Sequence, residues 1–386
     1  RWKLAHGDDV ESVWVAPGNA GIALDPDLAG CVDLKATDFE ALAEFAKANG
    51  VTLTVVGPEA PLCAGIVDFF QARGLPVFGP SQAAARLEES KAFSKEVMRA
   101  AGVQTADFHV FHELGAAVSH VQTAPHPLVI KADGLAGGKG VVISEDVATS
   151  ERTLNEFMRD ARFGASSASV VIEEFLEGPE MSFIVIASGS EVVPLATSRD
   201  HKRVGEGDTG PNTGGMGAVT PSPDDTPELR KSIMEHVIHP VLKEMDSRGA
   251  PFTGFLYAGV MLTARGPYVL EFNVRLGDPE TQPLMFAMNA DLGPLLEAAA
   301  AGTLTSQELP ESSAACAVVL ASEGYPGTPR KGLAIAGLDR DLGSSTKVFH
   351  AGTALDDSGA VVTAGGRVLA ITAKGSDAEQ ARERAY

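Results

Sequence analysis

The sequence predicts a multidomain protein in which an α/β domain is followed by α+β domains. Its 386 residues, 44% of them apolar, suffice for two or three domains with well-packed cores. In the first eighty residues, short β-branched runs alternate with helical spacers, which is typical of a parallel sheet with crossover helices. From about residue 126 the apolar runs follow one another through short turns, which favours antiparallel hairpins.

The first region, residues 1–80, is predicted to be a parallel-sheet domain of the Rossmann-like type. Its apolar runs end at Gly or Pro in the segments SVWVAPGNAG, VTLTVVGPEAP and LPVFGPS, and helical patterns separate them. Ligands bind such sheets at the carboxyl ends of the strands, so we expect Gly18, Asn19, Gly57 and Glu59 at that edge. The chain opens within a helical pattern, RWKLAHGDD, and closes within another, AEQARERAY, from which we expect it to be a fragment.

The middle region, residues 81–301, begins with two helical patterns joined by EESKAFSKE and continues as antiparallel strands. In PLVIKADGLAGGKGVVI, two apolar runs flank a Gly-rich bend, which predicts a hairpin. Further strands are predicted in SVVIEEFLEG, EMSFIVIAS, EVVPLATS, FLYAGVMLTA and YVLEFNVRL, with a helical spacer near residues 227–248. A third region, residues 302–386, is predicted to form a small β-rich domain from strands in AACAVVLASEGYPG, TKVFHAG and GRVLAITAKG.

Composition and charge argue against several classes of function. The chain holds 51 acidic and 31 basic residues, a formal charge of -20. Surfaces that bind nucleic acids need clustered Lys and Arg, so no nucleic-acid partner is expected. No run of 18 apolar residues is present, so no membrane partner is expected either. Cys31, Cys63 and Cys316 are odd in number and lack a C-x-x-C spacing, which argues against a disulfide framework or a zinc site and favours a reducing cytoplasm.

The Gly-rich bend joins two lysines, Lys131 and Lys139, across three glycines, Gly134, Gly137 and Gly138. A Walker P-loop does not fit, because its first glycine and its Ser or Thr would fall on an aspartate and a glycine. A dinucleotide fingerprint does not fit either, because β-branched residues follow the bend where a helix should begin. Two interpretations stay open from these residues: a hairpin that folds its N–H groups and lysines over a polyphosphate, and a surface hairpin without a ligand.

The stretch VLEFNVRLGDPE predicts a strand with one polar and one apolar face. The period of two places Glu271, Asn273 and Arg275 on the polar face. Carboxylate and amide oxygens two residues apart suit Mg²⁺, which takes its remaining ligands from water and substrate phosphates. The neighbouring arginine can neutralise a transferring phosphoryl group. The alternative is a solvated strand face that carries a Glu–Arg pair.

Two further stretches favour a nucleotide-binding enzyme. VIEEFLEGPE ends an apolar strand with Glu173, Glu174 and Glu180, carboxylates that suit a ribose hydroxyl pair and an adenine amino group. RDHKRVGEGDTGPNTGGMGA, residues 199–218, is a long Gly-rich stretch, and unstructured loops of that length are usually functional or disordered. Its internal Asn, Thr and Met residues favour an ordered binding loop over a linker.

Seven stretches together resemble the phosphoribosylamine–glycine ligase family of the ATP-grasp superfamily. They are APGNAG, VGPEAPL, VIKADGLAGGKGV, IEEFLEG, DHKRVGEGDTGPNTGGMGA, GFLYAG and EFNVRLGDPETQP. The resemblance runs from about Trp2 to the end of the chain. The long loop and RLGDPE are particular to this family, whereas the glycine bend is shared by ATP-grasp ligases. The resemblance implies an ATP-grasp fold over residues 81–301, with residues 106–178 as a mobile ATP lid. It also implies a Rossmann-like first domain whose first strand is absent, and a truncated carboxyl-terminal domain.

The resemblance implies a reaction and its participants. ATP, glycine and 5-phosphoribosylamine would give glycinamide ribonucleotide, ADP and phosphate in purine biosynthesis, through a glycyl phosphate intermediate. ATP and either Mg²⁺ or Mn²⁺ are the expected cofactors, and glycine and 5-phosphoribosylamine are the expected small-molecule partners. Fusion to, or association with, other purine-pathway enzymes stays open, because the family continues beyond Tyr386.

Carried over to matching positions, the resemblance implies roles for individual residues. Lys91 and Lys131 would contact the ATP phosphates. Arg275, together with Lys131, would be catalytic, and Glu271 and Asn273 would hold the metal ion. The implied ATP contacts besides the two lysines are Gly134, Gly137, Gly138, Lys139 and Gly140 over the phosphates, Glu173, Glu174, Phe175 and Leu176 at the adenine, and Glu180 at the ribose. The implied substrate-side residues are Gly18, Asn19, Glu59, Asn212, Thr213, Gly214, Gly215, Met216 and Asp278.

Two alternative functions stay open. Another ATP-grasp ligase would share Lys131, Glu271 and Asn273 but should lack GPNTGGMG and RLGDPE, which are both present. A nucleotide-binding regulatory protein would keep ATP without turning it over. The presence of Arg275 opposes that function, because binding alone does not need a cation at the transferring phosphoryl group.

Overall fold

The computed structural model describes residues 1–25, 30–136 and 140–386. The elements of the amino-terminal region are α1 (Trp2–Ala5), β1 (Trp14–Val15), α2 (Ala20–Ala23), β2 (Gly30–Cys31), α3 (Phe39–Ala48), β3 (Thr54–Val55), α4 (Glu59–Cys63), α5 (Ile66–Gln71) and β4 (Val77–Phe78). Strand β1 pairs with β2 and β3 pairs with β4, each in parallel. The predicted parallel strands with helical connections are therefore confirmed. The sequence patterns predicted neither α2 nor β2, because each is too short to show a hydrophobic period.

The next elements form a small antiparallel sheet with a core of its own. They are α6 (Gln82–Glu89), α7 (Lys91–Ala100), β5 (Phe108–Phe111), α8 (Leu114–Val121), β6 (Leu128–Ala132), β7 (Val141–Ser144), α9 (Val147–Leu154), a π-helical turn (Asn155–Arg159), a 3-10 turn (Gly164–Ser167) and β8 (Val170–Glu174). The strand order is β5-β8-β6-β7, and β6 and β7 form the predicted antiparallel pair. Ile130, Val170 and Ile172 pack on one face against α8 and α9. This separate core suits the subdomain predicted as a lid, whose mobility stays a prediction.

A second antiparallel sheet, which we call the central sheet, has the order β10-β9-β15-β16. Its strands are β9 (Glu180–Ser188), β10 (Glu191–Pro194), β15 (Thr253–Thr263) and β16 (Gly266–Asn273), and its helices are α10 (Pro227–Ile233), a π-helical turn (Met234–Ile238), α11 (His239–Ser247), α12 (Thr281–Ala287) and α13 (Gly293–Ala300). Successive residues of β9 point to opposite faces. Phe183 and Val185 join the core shared with the amino-terminal region, whereas Ile184 and Ile186 pack in a core with α12 and α13. Both faces of this sheet are therefore covered.

The third sheet joins strands from two regions of the sequence. It has the order β11-β14-β17-β21-β18. The remaining elements are β11 (Arg199–Asp200), β12 (Arg203–Gly205), β13 (Thr209–Asn212), β14 (Gly217–Thr220), β17 (Ala314–Ala321), β18 (Thr346–His350), β19 (Thr353–Leu355), β20 (Val361–Thr363), β21 (Arg367–Gly375) and α14 (Ala378–Ala385). The Gly-rich stretch 199–218 is thus a β12–β13 hairpin held at both ends by strands of the carboxyl-terminal sheet. This sheet contains β11 and β14 from before residue 301 and β17, β18 and β21 from after it. The sheet therefore does not mark a boundary at residue 301, and the predicted domain boundaries stay a prediction.

Within the part of the chain that the structure describes, no helix has both the length and the apolar character needed to cross a bilayer.

Candidate active site

A buried carboxylate lies between two lysines at the centre of the candidate site. The Nζ of Lys131, on β6, is 2.9 Å from one carboxylate oxygen of Glu173, on β8, and the Nζ of Lys95, on α7, is 3.0 Å from the other. The three side chains are only 2–7% exposed. Lys95 also donates a hydrogen bond of 2.6 Å to the Thr105 hydroxyl. Glu173, predicted at the adenine, therefore pairs with two buried cations, and the three side chains together keep one net positive charge.

Lys95 is a residue that the sequence analysis missed. In EESKAFSKE it follows Lys91 by four residues, so the two lysines share one face of α7, and that spacing was an available signal. Burial lowers the pKa of Lys95 to about 8, although the neighbouring Glu173 carboxylate opposes this effect. Burial also lowers the pKa of Lys91. Lys91 donates a 3.3 Å hydrogen bond to the carbonyl of Gly134, which places it at the glycine bend.

Asp133 fastens the start of the glycine bend to α7. Its carboxylate accepts hydrogen bonds from the Ala92 N–H at 2.8 Å and from the hydroxyls of Ser90 and Ser169 at 3.0 and 2.9 Å. Ser90 is also the N-cap of α7 and accepts from the Phe93 N–H at 3.1 Å. Lys91 is therefore held at the helix start beside the bend.

Only part of the predicted phosphate loop can be placed. Gly134 donates to the Ser166 carbonyl at 3.2 Å, and a Cβ at this glycine would lie 2.5 Å from the Ser166 Oγ. The Gly140 carbonyl accepts from the Ala132 N–H at 2.8 Å. Gly137, Gly138 and Lys139 lie outside the described residues, so their predicted roles stay predictions.

The carboxylates predicted at the adenine and the ribose have partners on neighbouring strands. Glu174 lies 3.2 Å from the guanidinium of Arg265, while Leu176 is buried and Phe175 half-buried. The Glu180 carboxylate lies 2.5 Å from the Nζ of Lys202. Lys202 had no predicted role, although it belongs to the DHK stretch that carries part of the family resemblance. The adenine and ribose assignments stay predictions.

Glu271 and Asn273, the predicted metal ligands, alternate on β16 with the buried Phe272. The strand ends at Asn273, so Arg275 lies just beyond it rather than within it. Among the described residues, the Glu271 carboxylate forms no hydrogen bond or ion pair. Burial disfavours its negative charge, but four nearby cations outweigh burial and lower its pKa. These cations are Lys202, Lys131, Lys91 and Arg275.

Arg275 joins the amino-terminal region to the central sheet. Its guanidinium lies 3.2 Å from Glu59 and 2.8 Å from Glu88. Burial opposes the charge of Arg275, but the two carboxylates outweigh it and raise its pKa. Glu88, at the end of α6, was missed, and it also accepts the Val274 N–H at 2.7 Å. Glu59, predicted on the substrate side, is thus an ion-pair partner of the predicted catalytic arginine.

Gly18 and Asn19 have structural contacts in the amino-terminal region. Gly18 has φ +84, and a Cβ there would lie 2.4 Å from the Cys31 Sγ, so only glycine fits this turn. Asn19 caps α2 by accepting from the Ile22 N–H at 3.0 Å, and it donates to the His350 carbonyl at 2.8 Å. Asn19 also lines a cavity of about 1510 Å³ that reaches Asp278.

The other substrate-side residues lie on the 199–218 stretch and on the loop after β16. Asn212 is exposed, and Thr213 donates to the Lys202 carbonyl through both its N–H and its hydroxyl, each at 2.7 Å. The Met216 N–H donates to the His201 carbonyl at 2.8 Å. Asp278, Gly214 and Gly215 all accept hydrogen bonds from Arg367, a residue of the third sheet. Internal hydrogen bonds therefore hold this stretch, and its role in binding stays a prediction.

The arrangement separates into two sides. The buried Lys131 and Glu173 and the half-buried Lys91 form a group suited to anionic phosphates. Glu271 lies close enough for the two lysines to stabilise its charge. Arg275 also lowers the pKa of Glu271, and the next three residues along the chain, Leu276 to Asp278, line the cavity. Chemically, such an arrangement can neutralise a polyphosphate on one side and position an acceptor on the other.

Comparisons with known proteins identify the family that the chain resembles along its whole length. Residues 1–88, 89–281 and 315–386 match the N domain, the ATP-grasp (A) domain and the C domain of phosphoribosylglycinamide synthetase. The chain is 49% identical to the phosphoribosylamine–glycine ligase of Xanthomonas axonopodis pv. citri, over 100% of this chain and 89% of that protein. It is also 49% identical to the ligase of Escherichia coli O6:H1, over 100% of this chain and 90% of that protein.

Solved structures support the same conclusion about the fold. The crystal structure of the Thermotoga maritima phosphoribosylamine–glycine ligase aligns with a TM-score of 0.84 at 33% identity, covering 100% of this chain and 92% of that one. The biotin carboxylase domain of the Hydrogenobacter thermophilus 2-oxoglutarate carboxylase, solved with MgADP, aligns with a TM-score of 0.76 at 17% identity, covering 97% and 83%. The multidomain ATP-grasp fold expected from the sequence is confirmed.

Proposed function

The chain belongs to the phosphoribosylglycinamide synthetase family, and we propose that the site described above carries out the ligation. The reaction joins glycine to 5-phosphoribosylamine at the expense of ATP and gives glycinamide ribonucleotide, ADP and phosphate in purine biosynthesis. One observation supports the residue assignment above all. Lys131 donates to the Leu270 carbonyl at 3.3 Å and Arg275 to the Asn273 amide oxygen at 3.5 Å, on either side of Glu271. Lys202, Lys131, Lys91 and Arg275 together lower the pKa of Glu271 against the opposing effect of burial.

The chemistry requires two steps, because a carboxylate is a poor acyl donor. A carboxylate oxygen of glycine attacks the γ-phosphorus of ATP and ADP leaves, which gives glycyl phosphate. The amino nitrogen of 5-phosphoribosylamine then attacks the carbonyl carbon, phosphate leaves with the C–O bonding electrons, and the nitrogen loses a proton. Phosphoryl transfer depends mainly on positioning and charge neutralisation, so no nucleophile from the chain is needed.

The basic residues have distinct roles in this mechanism. Lys91 and Lys131 bind the ATP phosphates, and Arg275 neutralises the phosphoryl group during transfer. Cations held away from water stabilise such charge more strongly than cations in water. Lys95 pairs with Glu173, so that this carboxylate does not cancel the charge of Lys131.

Glu271 and Asn273 are the residues that would hold Mg²⁺ or Mn²⁺. Both supply hard oxygen donors, and Glu271 is kept ionised by the surrounding cations. Bound there together with ATP, the ion would neutralise phosphate oxygens.

Residues 106–178, which carry the glycine bend, would close over ATP as a lid. Glycyl phosphate hydrolyses in water, so a closed site would protect it until the amine attacks. Gly134 and Gly140 border this bend. We further assign the enzyme to the cytoplasm, because Cys31, Cys63 and Cys316 are free thiols and reduced cysteines are the rule there.

The first experiment measures ADP release from ATP and Mg²⁺ with glycine and 5-phosphoribosylamine, the latter generated in place from ribose 5-phosphate and ammonia. Each component is omitted in turn. Turnover that requires both glycine and the amine supports the ligase function. ATP binding without turnover in the complete mixture would instead favour a regulatory nucleotide-binding protein.

The same assay tests the role of Arg275. We expect Arg275→Ala to lower kcat by about 10²- to 10³-fold, as loss of a transition-state contact does, with a much smaller change in ATP affinity. The matched control is Arg330→Ala, which removes a guanidinium that is 62% exposed and pairs with Glu323. Equal activity of Arg275→Ala and the control would contradict the assignment.

A further inference from the structure

Arg367, the first residue of β21, reaches from the carboxyl-terminal sheet to two loops of the ATP-grasp region. Its guanidinium donates to the carbonyls of Gly214 and Asp278, both at 2.6 Å, and to the Gly215 carbonyl at 3.4 Å. A fourth contact, of 2.8 Å, joins it to the Asp278 carboxylate. The planar guanidinium carries five N–H donors in a fixed fork, and here that fork joins three backbone carbonyls and one carboxylate.

Tyr325 adds a second contact from the same region. Its hydroxyl accepts the Gly214 N–H at 2.9 Å. Gly366, directly before Arg367, allows the tyrosine ring to approach, because a Cβ at Gly366 would lie 2.4 Å from that ring. The N–H and the carbonyl of Gly214 are therefore both held by the carboxyl-terminal region.

Close packing explains why glycines occupy these positions. A Cβ at Gly214 would lie 3.0 Å from the Arg367 guanidinium. Gly215 has φ +110, and a Cβ there would lie 2.3 Å from Pro279 and 2.7 Å from the Asp200 carboxylate. Three separate sequence stretches, NTGGMG, GDPE and GGR, therefore meet at one point. The sequence analysis gave no role to Arg367.

The contact lies beside the proposed substrate side. Asp278 is three residues after Arg275, and Gly214 follows Thr213, which binds the Lys202 carbonyl. The Asp278 carboxylate pairs with Arg367, and its predicted contact with substrate stays a prediction. Loss of Arg367 would release both loops while leaving the Lys95–Glu173–Lys131 group untouched, because none of its contacts involves that group.

We propose that Arg367 is a positioning residue that clamps the Gly214–Gly215 segment to Asp278 and thereby orders the 5-phosphoribosylamine side of the active site. This inference rests on the proposed function. A charged hydrogen bond contributes about 1.5–3 kcal/mol, so Arg367→Ala should lower kcat/KM for the amine by roughly 10- to 100-fold. The KM for ATP should change by less than about twofold, because Arg367 does not contact the Lys95–Glu173–Lys131 group.

The test compares Arg367→Ala, Arg367→Lys and the control Arg330→Ala, an exposed arginine of the same region. Steady-state kinetics are measured for ATP, glycine and the amine separately, and hydrogen exchange is followed over residues 209–218. We expect faster exchange and a selective loss for the amine in Arg367→Ala, partial rescue by Lys, which keeps the charge but lacks the fork, and no change in the control. Tyr325→Phe removes only the hydrogen bond from the Gly214 N–H. It should also lower kcat/KM selectively for the amine, but by less than Arg367→Ala does. This variant replaces Arg367→Ala in the test if Arg367→Ala does not fold.

Two outcomes would overturn the inference. A uniform loss for all three substrates would indicate a general folding role, and unchanged amine kinetics would show that the clamp does not position that side. Wild-type turnover is measured first. Failure of the wild type contradicts the proposed function, whereas an active wild type with a normal Arg367→Ala variant contradicts only the clamp.

Discussion

On the ATP side of the site, Lys91, Lys131 and Glu173 come from one helix and one small sheet of the middle region, whereas on the substrate side the ion pairs cross between regions. Glu59 of the amino-terminal region reaches Arg275, and the carboxyl-terminal Arg367 reaches Asp278. On the ATP side, the paired side chains of Lys95, Lys131 and Glu173 are only 2–7% exposed. The ion pairs of the substrate side are more exposed to solvent, with the Arg275 side chain 25% and the Asp278 side chain 54% exposed.

The difference separates two uses of charge. A buried ion group must be complete, because removing one member leaves an unpaired charge away from water. A partly exposed pair contributes little to stability. Its main effect is therefore to fix the positions of loops from different regions relative to each other. We therefore expect substitutions on the ATP side to act first on stability, and those on the substrate side to act first on kinetics.

The largest expected effect is a loss of stability when the buried ion group on the ATP side is made incomplete. Glu173→Gln leaves Lys95 and Lys131 without their shared carboxylate and should lower the free energy of unfolding by about 3–5 kcal/mol. Urea unfolding measures this. The control Glu323→Gln, in an exposed pair with Arg330, should change stability by less than about 1 kcal/mol. A loss no greater than the control's would show that the buried group is not needed for stability.

A second prediction uses pH to test the junction between the two sides. Burial raises the pKa of Glu88 to about 7 from an ordinary value of 4.5, although Arg275 and the Val274 N–H oppose this shift. The folded protein binds this proton more tightly than the unfolded chain. The stability contributed by Glu88 is therefore complete below pH 4.5 and is lost as the pH rises through 7.

We expect Glu88→Gln to remove that loss. Relative to wild type, the urea midpoint of the variant should rise between pH 4.5 and pH 7, because a glutamine does not titrate. Glu44→Gln, at an exposed position on α3, is the control and should follow the wild type. Parallel curves for wild type and Glu88→Gln across this range would rule out the raised pKa.

The smallest expected effect is on kcat and tests the ion pair between Glu59 and Arg275 on the substrate side. Glu59→Gln removes one of the two carboxylates paired with Arg275 and leaves Glu88 in place. We expect kcat to fall about two- to fivefold, corresponding to roughly 0.5–1 kcal/mol for a partly exposed pair. Glu40→Gln, in an exposed pair with Arg73, is the matched control. A loss as large as that of Arg275→Ala would indicate that Glu59 acts on the substrate directly.

Much of the fold could be predicted because its signals are local. The period of two in YVLEFNVRL predicted β16 and placed Glu271 and Asn273 on the face opposite Phe272, as observed. The hairpin of β6 and β7 followed from two apolar runs around a glycine bend. The sequence patterns could not predict that β11 and β14 join the carboxyl-terminal sheet, because strand order across a hundred residues leaves no local pattern.

The sequence by itself determined most of the longer strands and the polar face that carries the candidate metal ligands, since each depends on residues a few positions apart. Only the tertiary structure decided which charges pair. Arg275 reaches Glu59 across 216 residues, and Arg367 reaches Asp278 across 89. A hydrophobic period specifies which face of an element is buried, but the partner of a charged side chain depends on how the elements pack together. Glu88 and Arg367 therefore became visible as functional candidates only once the chain was folded, whereas Lys95 had a local signal in its spacing from Lys91.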